Sequence, residues 1–200
     1  VYTPATIGKE FLKHMGVKSF FEKNKSFSKG ITGKMMTCYI GGRVEDKIRK
    51  TPTMVDVLDF LAMYPTVCTL QNLWKFVIAD HIKYKEDTKE ISNFIEKFTL
   101  QDVQKSENWT NLQGIVSIEP QEDVLPIRAS FGQKHAWNIG IESVSSKTPL
   151  WYSIADVIAS KLYTGKMPKI LKAYRFIPVG VQKNLKTINI HGIKINPYKD

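Results

Sequence analysis

Residues 55–68 read V-D-V-L-D-F-L-A-M-Y-P-T-V-C and combine an apolar run with two carboxylates. The first six residues are rich in apolar and β-branched side chains, which predicts a strand over residues 55–60. Because side chains alternate along a strand, Asp56 and Asp59 lie on opposite faces. Asp59 is the last residue of its face before the chain turns into Y-P-T. A strand that only fills a core needs neither acid.

Asp59 stands at the carboxyl end of this predicted strand, a position that suits a ligand for a hard divalent cation. The strand fixes the carboxylate, and the backbone N–H groups of the following turn can bind phosphate. Burying an unpaired carboxylate costs several kcal/mol, and a metal ion would remove that cost. The alternative is that Asp59 caps the helix after the turn. Asp56 is interpreted as a solvated or paired charge.

Helices and strands are mixed along the chain without a regular βαβ rhythm, which predicts an α+β fold. Apolar periodicity, N-cap residues and glycine stops predict helices over residues 5–15, 67–82, 89–98, from 99 onward, and 153–165. Short apolar or alternating runs predict strands over residues 35–40, 55–60, 114–118, 124–129 and 136–142. Residues 185–195 are predicted to form a hairpin or bent strand with a kink at Gly192.

The net charge of +10 is unevenly distributed. Residues 1–50 carry eleven Lys/Arg against four Asp/Glu, residues 151–200 carry nine against two, and the middle hundred carries nine against thirteen. Two basic ends around a mildly acidic middle suit a groove that holds a polyanion, because clustered lysines and arginines neutralise phosphates. The alternative is that the charge serves only solubility.

Residues 18–34 interleave three phenylalanines, Phe20, Phe21 and Phe27, with several lysines. Aromatic rings among lysines can stack on nucleobases. The alternative is that the rings anchor a loop to a core while the lysines stay in water. Both interpretations remain open from the sequence.

Composition and cysteine use favour a globular protein of a reducing compartment. The chain is 42% hydrophobic, yet it has no apolar run of about 18 residues, so no spanning helix is predicted. Cys38 and Cys68 lack metal-ligand spacing, which predicts free thiols and a cytoplasmic location. The four histidines are scattered, and Gly165-Lys166 lacks the first glycine of a phosphate loop. The opening V-Y-T-P is no initiator or signal sequence, so we expect a start inside a longer gene product.

Residues 59–66, D-F-L-A-M-Y-P-T, resemble motif A of the family B DNA polymerases, D-F-x-S-x-Y-P-S. Y-I-G-G at 39–42 resembles the Y-x-G-G element that joins the 3′–5′ exonuclease region of this family to the palm. Residues 3–16, G-G-R-V-E at 41–45 and residues 148–178 are similar to a bacterial and phage branch of the family. The similar segments occur in family order and cover most of the chain, whereas residues 85–111 carry no match.

This resemblance implies a role for each motif A residue. Asp59 would be one of two palm carboxylates that hold two Mg²⁺ ions, with the Phe60 carbonyl beside it. The triphosphate of the incoming nucleotide would be bound by backbone N–H groups of three residues, Leu61, Ala62 and Met63. Tyr64 would lie under the deoxyribose and exclude a 2′-hydroxyl. The chemistry implied is two-metal phosphoryl transfer to a primer 3′-hydroxyl.

The Y-x-G-G element would contact the template strand. The resemblance assigns DNA contacts to Tyr39, Gly41, Gly42 and the neighbouring Arg43, the glycines permitting close backbone approach. It divides the chain into the end of an N-terminal, exonuclease-side region (1–34), the start of a palm (35–84), and an insertion and connection before the fingers (85–200). The expected architecture is part of an antiparallel palm with packed helices, plus an inserted mixed α/β region.

The chain departs from the family pattern in several places. Alanine replaces the usual serine at position 62, and threonine replaces serine at position 66. The sequence contains neither K-x-x-x-N-S-x-Y-G nor Y-x-D-T-D-S, which carries the second palm carboxylate, and the exonuclease acids are missing. We therefore expect an enzyme only as part of a longer parent protein, and an inactive 200-residue chain.

Three functions follow from these observations. The first is a fragment of a DNA-directed DNA polymerase that acts in replication or repair, with primer-template DNA, deoxynucleoside triphosphates and the rest of the polymerase chain as partners. Such a protein would be cytoplasmic and nucleoid-associated, and of viral or plasmid origin if not cellular. The second is a polymerase-derived nucleic-acid-binding module without catalysis. The third is a structural or interaction domain whose basic ends only confer solubility.

Overall fold

The computed structural model describes residues 3–41, 48, 50–131 and 136–199. Its helices are α1 (Pro4–His14), α2 (Phe20–Lys23), α3 (Lys29–Thr37), α4 (Met63–Leu70), α5 (Trp74–Ile78), α6 (Thr88–Lys97), α7 (Ser106–Trp109) and α8 (Ile154–Thr164). Its strands are β1 (His81–Glu86), β2 (Gly114–Glu119), β3 (Gln121–Phe131), β4 (Ala136–Ser145), β5 (Leu150–Ser153), β6 (Lys169–Val179), β7 (Ile188–Ile190) and β8 (Ile193–Ile195). The predicted α+β class is confirmed.

The strands form three sheets within the described residues. The largest has four strands in the order β1-β6-β2-β5, and β2 pairs antiparallel with both β5 and β6. The strands β3 and β4 form a long antiparallel ribbon, and β7 and β8 form a short hairpin. Non-consecutive strands therefore pair in the main sheet, which local sequence patterns do not specify.

The chain divides into two compact units. Unit 1 comprises Val1–Phe27, Asn72–Tyr84 and Phe176–Asp200, and unit 2 comprises Ser28–Gln71 and Lys85–Arg175. Each unit is built from separate pieces of chain, whereas the three segments implied by the resemblance are continuous. Those segments refer to a longer parent chain, and they stay a prediction.

Unit 2 has an apolar core between its sheet and two helices. The buried side chains come from α6, β2, β3, β5, α8 and β6: Ile91, Ile95, Phe98, Val116, Ile118, Leu125, Tyr152, Ile154, Val157, Ile158 and Ala173. At its edge the buried Asp87 accepts hydrogen bonds from Arg175 Nε at 2.7 Å and pairs with Lys85 Nζ at 3.0 Å. Burial raises the pKa of Asp87, but these two cations outweigh burial and hold the pKa below its usual range.

Unit 1 is held together by polar side chains at the end of α5. Lys23 Nζ donates to the carbonyl oxygens of Phe76, Val77 and Ala79 at 2.7, 2.8 and 3.1 Å. Gln182 Nε2 donates to the Val77 and Ala79 oxygens, both at 3.0 Å, while its Oε1 accepts from the Lys18 N–H at 2.9 Å. The final carbonyls of a helix have no partner inside it, so side chains from two distant segments satisfy them here.

Several predicted element ends are confirmed by their caps. Thr3 caps α1, with proline at the first turn, and Ser153 Oγ accepts from the Asp156 N–H at the start of α8. Gly165 ends α8 in the left-handed conformation with φ +71°. The 3₁₀ helix Leu100–Gln104 begins with a capping box of Thr99 and Asp102. The hairpin around Gly192 is present as β7 and β8.

The predicted strand over residues 35–40 is wrong, because residues 29–37 form α3. Ser28 Oγ accepts from the Ile31 N–H at the start of α3, and Ile31 is buried on its inner face. The short apolar run at 35–40 therefore continues an amphipathic helix, and an apolar run this short does not distinguish the two states.

The predicted strand over residues 55–60 is also wrong. Residues 52–60 have no regular secondary structure, and their side chains are exposed. A strand requires a hydrogen-bonding neighbour, and none of the described strands pairs with this segment. The predicted helix over 67–82 is divided into α4 and α5 at Asn72, which has φ +53°, and its last residues belong to β1.

The hydrogen bonds of Gln182 lead us to expect that removing its side-chain amide lowers the free energy of unfolding substantially. We expect Gln182→Leu to destabilise unit 1 by about 3 kcal/mol, because three buried hydrogen bonds are lost at about 1 kcal/mol each. Hydrogen exchange should speed up at residues 17–24 and 74–82. The control is Gln101→Leu, at an exposed position, which should leave exchange unchanged. Equal exchange in the two variants would show that Gln182 does not hold the unit together.

Candidate nucleotide and nucleic-acid site

The motif A stretch lies where an extended segment enters α4. The Phe60 carbonyl accepts from the Met63 N–H at 3.3 Å, and the Ala62 carbonyl accepts from the Thr66 N–H at 3.0 Å. Ala62 is the N-cap residue of α4, and no side chain caps this end. Of the first three residues of α4, Met63 already donates its N–H to Phe60 and Pro65 has no N–H, which leaves the Tyr64 N–H as the donor of this turn that an anion could use.

Ala62 adopts the left-handed conformation, with φ 54° and ψ 34°. An L-residue with a Cβ pays about 1–2 kcal/mol for this conformation. Position 62 is also the one at which the family B polymerase motif that this stretch resembles usually has serine. Asp59 does not cap α4, so the capping alternative for this residue is wrong.

Asp59 is exposed, and so is Asp56. The burial cost that would favour a metal at Asp59 is therefore absent, which corrects the sequence-based argument. The described residues contain no group of three or more His, Cys, Asp or Glu side chains that could hold a metal ion. Mg²⁺ usually keeps several waters and is bound by one or two protein carboxylates together with substrate phosphates. Asp59 with the Phe60 carbonyl could supply part of such a ligand set.

The side chains of residues 60, 61 and 64, to which the resemblance assigns nucleotide contacts, are also open to solvent. Leu61 is 96% exposed, Phe60 is 80% exposed and Tyr64, in the first turn of α4, is 75% exposed. Met63 begins α4 and is partly exposed. Tyr64 is thus free of packing on its ring, as a residue that contacts a ligand would be.

The Y-x-G-G element follows α3. Tyr39 is exposed, and Gly41 has φ +91°, a conformation that favours glycine. The Tyr39 and Ile40 carbonyls accept from Arg128 Nη2 at 2.5 and 3.1 Å. Gly42 and Arg43, the other predicted DNA contacts, lie outside the described residues. Sequence reasoning missed Arg128, because its contact spans almost ninety residues of chain.

The positive charge is concentrated in unit 1. This unit contains about a third of the chain, with eleven lysines, no arginine and four acids, so it carries seven of the ten net positive charges. Unit 1 thus joins the outer parts of the two basic ends, residues 1–27 and 176–200, whereas residues 28–50 and 151–175 belong to unit 2. Lysines neutralise phosphate without the bidentate geometry by which arginine reads guanine, so this charge favours sequence-independent contacts.

The aromatic residues of 18–34 serve mainly as anchors. The rings of Phe20 and Phe27 are 5.1 Å apart and packed edge to face, and Phe27 packs on Tyr84 at 5.2 Å. Phe21 is 70% exposed. The idea that the lysines stay in water fails for Lys23, whose ammonium is bound by carbonyls and whose pKa is lowered by burial.

A second basic and aromatic cluster lies in unit 2. The rings of Trp151 and Tyr174 stack with centroids 5.7 Å apart, and Lys34 Nζ lies 4.6 Å from the Trp151 centroid. This lysine covers both rings, since it is 5.6 Å from the Tyr174 centroid. The cluster therefore uses its cation–π contacts internally.

The two cysteines are free, as predicted. Burial raises the pKa of Cys38 to about 12, so this thiol is a poor nucleophile near neutral pH. Among the described residues, no helix has the length and apolar character needed to cross a membrane.

Comparison with known proteins identifies no relative: no family model, curated protein or solved structure matches this chain. Its function is therefore argued from its motifs and from the geometry above.

The left-handed Ala62 predicts an unusual response to glycine. We expect Ala62→Gly to stabilise the protein by up to about 1 kcal/mol, because glycine adopts positive φ without a Cβ clash. The same substitution at Ala159, exposed in the middle of α8, should cost about 1 kcal/mol. Urea unfolding of both variants measures the two effects. A loss of stability at both positions would contradict the left-handed start of α4.

Proposed function

We propose that this chain is part of a family B-like DNA polymerase and contributes the start of its palm. The observation that carries the proposal is the stretch D-F-L-A-M-Y-P-T at 59–66, which joins an acid-bearing extended segment to an uncapped helix N-terminus. In the complete enzyme the reaction would be DNA-templated addition of deoxynucleotides to a primer. Bound Mg²⁺ would supply activation of the 3′-hydroxyl and charge neutralisation at the triphosphate.

The local geometry supports the roles that the resemblance implies. No side chain caps the start of α4, so the backbone N–H groups of Leu61, Ala62 and Tyr64 could donate to a triphosphate, whereas that of Met63 would first have to leave the Phe60 carbonyl. The exposed Tyr64 ring follows directly and could contact a sugar. Asp59 precedes both by a few residues, and a second carboxylate from the rest of the polymerase chain would complete the ligands.

The exposed apolar run before α4 supports a larger parent assembly. Met54, Leu58 and Leu61 are each more than 90% exposed, as is Val57. Contiguous exposed apolar residues mark surfaces that another element covers. The rest of a polymerase palm is the cover that the resemblance implies.

The second candidate function is a nucleic-acid-binding module without catalysis. The lysine-rich unit 1 favours this function, because its charge suits phosphate whether or not a catalytic site exists. The two candidates differ in the gene downstream of residue 200: Y-x-D-T-D-S supports the polymerase, and an immediate stop codon supports the binding module. A salt-independent affinity for DNA would remove both and leave a structural or interaction domain.

The polymerase proposal predicts a specific loss for Asp59. In the complete parent protein, Asp59→Ala should reduce nucleotide addition by about 10³-fold or more, because several kcal/mol of metal stabilisation is lost. DNA binding should be nearly unchanged. Asp56→Ala, an exposed acid three residues earlier, is the matched control and should keep its activity. Near-normal rates for Asp59→Ala would refute the assignment of Asp59 as a metal ligand. Primer extension by the 200-residue chain alone would refute the separate expectation that this chain is inactive.

Tyr64 carries a separate prediction about the sugar. In the parent protein, Tyr64→Ala should raise the ribonucleotide to deoxyribonucleotide ratio of kcat/KM by about 10²-fold, because the ring no longer clashes with a 2′-hydroxyl. Tyr64→Phe keeps the ring and should keep the discrimination. An unchanged ratio in the alanine variant would place the selecting group elsewhere.

A further inference from the structure

Unit 1 contains a cleft of about 750 Å³ that the predicted motifs do not use. It lies between α1, α2, the turn that joins them, and the end of α5. Its floor is apolar and is formed by Leu12, Val17, Phe20, Phe76, Val77 and Ile82. Four lysines are among the lining residues: Lys9, Lys13, Lys18 and Lys23. This combination suits a ligand with both apolar and anionic parts.

The two acidic side chains near the cleft, Glu10 and Glu22, already accept hydrogen bonds from neighbouring residues. Glu22 accepts the Ser19 N–H at 2.7 Å, and Glu10 pairs with Lys13 at 2.6 Å. These hydrogen bonds lower the pKa of both carboxyl groups. Lys9 and Lys18 are exposed, and among the described residues neither forms a hydrogen bond or ion pair with a carboxylate, although the charge of Lys18 helps to lower the pKa of Glu22. The rim therefore keeps a net positive charge that faces solvent.

Lys23, the fourth lysine of the cleft, has a structural role. Its three hydrogen bonds go to carbonyl oxygens at the end of α5, so it has no donor left for a ligand. Ligand binding by this cleft therefore depends on the rim lysines and on the apolar floor.

We propose that this cleft binds single-stranded nucleic acid independently of sequence. The rim lysines would neutralise phosphates, and unstacked bases would enter the apolar floor beside the rings of Phe20 and Phe76. The lining contains no arginine, asparagine or glutamine, so the planar side-chain groups that make bidentate contacts to a guanine or adenine edge are missing from it. The bases of a duplex stay stacked inside it. A duplex would therefore bind the rim lysines through its phosphates, but its bases would not contact the apolar floor.

The extent of the charge favours a polymeric anion over an acidic peptide. The lysine excess is spread over all three segments of unit 1, well beyond the cleft rim. A short acidic motif would meet two or three lysines, whereas a nucleic-acid strand is also attracted at longer range by positive charge that it does not contact. The inference deepens the nucleic-acid part of the proposed function and does not depend on polymerase chemistry.

The test measures fluorescence anisotropy of a labelled thymidine oligonucleotide of about 12 nucleotides over a salt series. The full chain carries Lys9→Gln together with Lys18→Gln, both exposed, so that folding is preserved. Two lost contacts on a single strand should weaken binding about 20-fold at 0.1 M salt and reduce the log–log salt slope by about 1.4. The matched control is Lys183→Gln with Lys194→Gln, two exposed lysines of unit 1 outside the cleft, which should change affinity by less than about threefold.

Three results would overturn the inference. Equal loss of affinity in the two double variants would mean that diffuse charge, and not the cleft, binds the strand. Equal affinity for a hairpin duplex of the same charge would remove the role of the floor. Tighter binding of an acidic peptide with leucine and phenylalanine, displacing the oligonucleotide, would make the cleft a protein-docking site. None of these results affects the predictions for Asp59 and Tyr64, which are measured by nucleotide addition.

Discussion

The end of α5 imposes the constraint on which unit 1 depends. This helix has five residues, so most of its backbone groups are terminal and need partners from outside. Lys23 and Gln182 supply those partners from segments that are fifty and one hundred residues away in sequence. The backbone adds to this, because the Gln182 N–H donates to the Ile78 carbonyl at 2.8 Å. These hydrogen bonds therefore join the three segments of the unit.

That constraint has an electrostatic consequence. By joining the first and last segments of the chain, the hydrogen bonds at α5 collect two lysine-rich stretches into one body with seven net positive charges. Self-repulsion among like charges opposes such an arrangement. Three buried hydrogen bonds at Gln182 and three at Lys23 oppose that repulsion, at about 1 kcal/mol or more each. A bound polyanion would remove the repulsion, which links the stability of the unit to its proposed ligand.

Sequence reasoning succeeded where a structure is specified locally and failed where it is specified by distant residues. The caps at Thr3, Ser153 and Gly165 and the hairpin at Gly192 each depend on a few neighbouring residues, and all are present. The two wrong strands were apolar runs whose state depends on a pairing partner that local patterns do not reveal. The roles of Lys23 and Gln182 could not be predicted for the same reason, because the local sequence does not show which distant carbonyl a lysine or glutamine side chain will bind.

The site shows the same limit in its chemistry. The sequence indicated Asp59 as a candidate metal ligand. The argument that a buried Asp59 would require a metal ion fails, because its carboxylate is exposed. An element that covers the apolar run around Leu58 would also exclude water from Asp59. Burying this unpaired carboxylate would then cost free energy. A cover that brings further oxygen ligands removes that cost by admitting a cation, whereas a purely apolar cover does not. In the proposed polymerase, covering this run and binding a metal at Asp59 would therefore be coupled, and a cover that brings no further oxygen ligands would suit a module without catalysis.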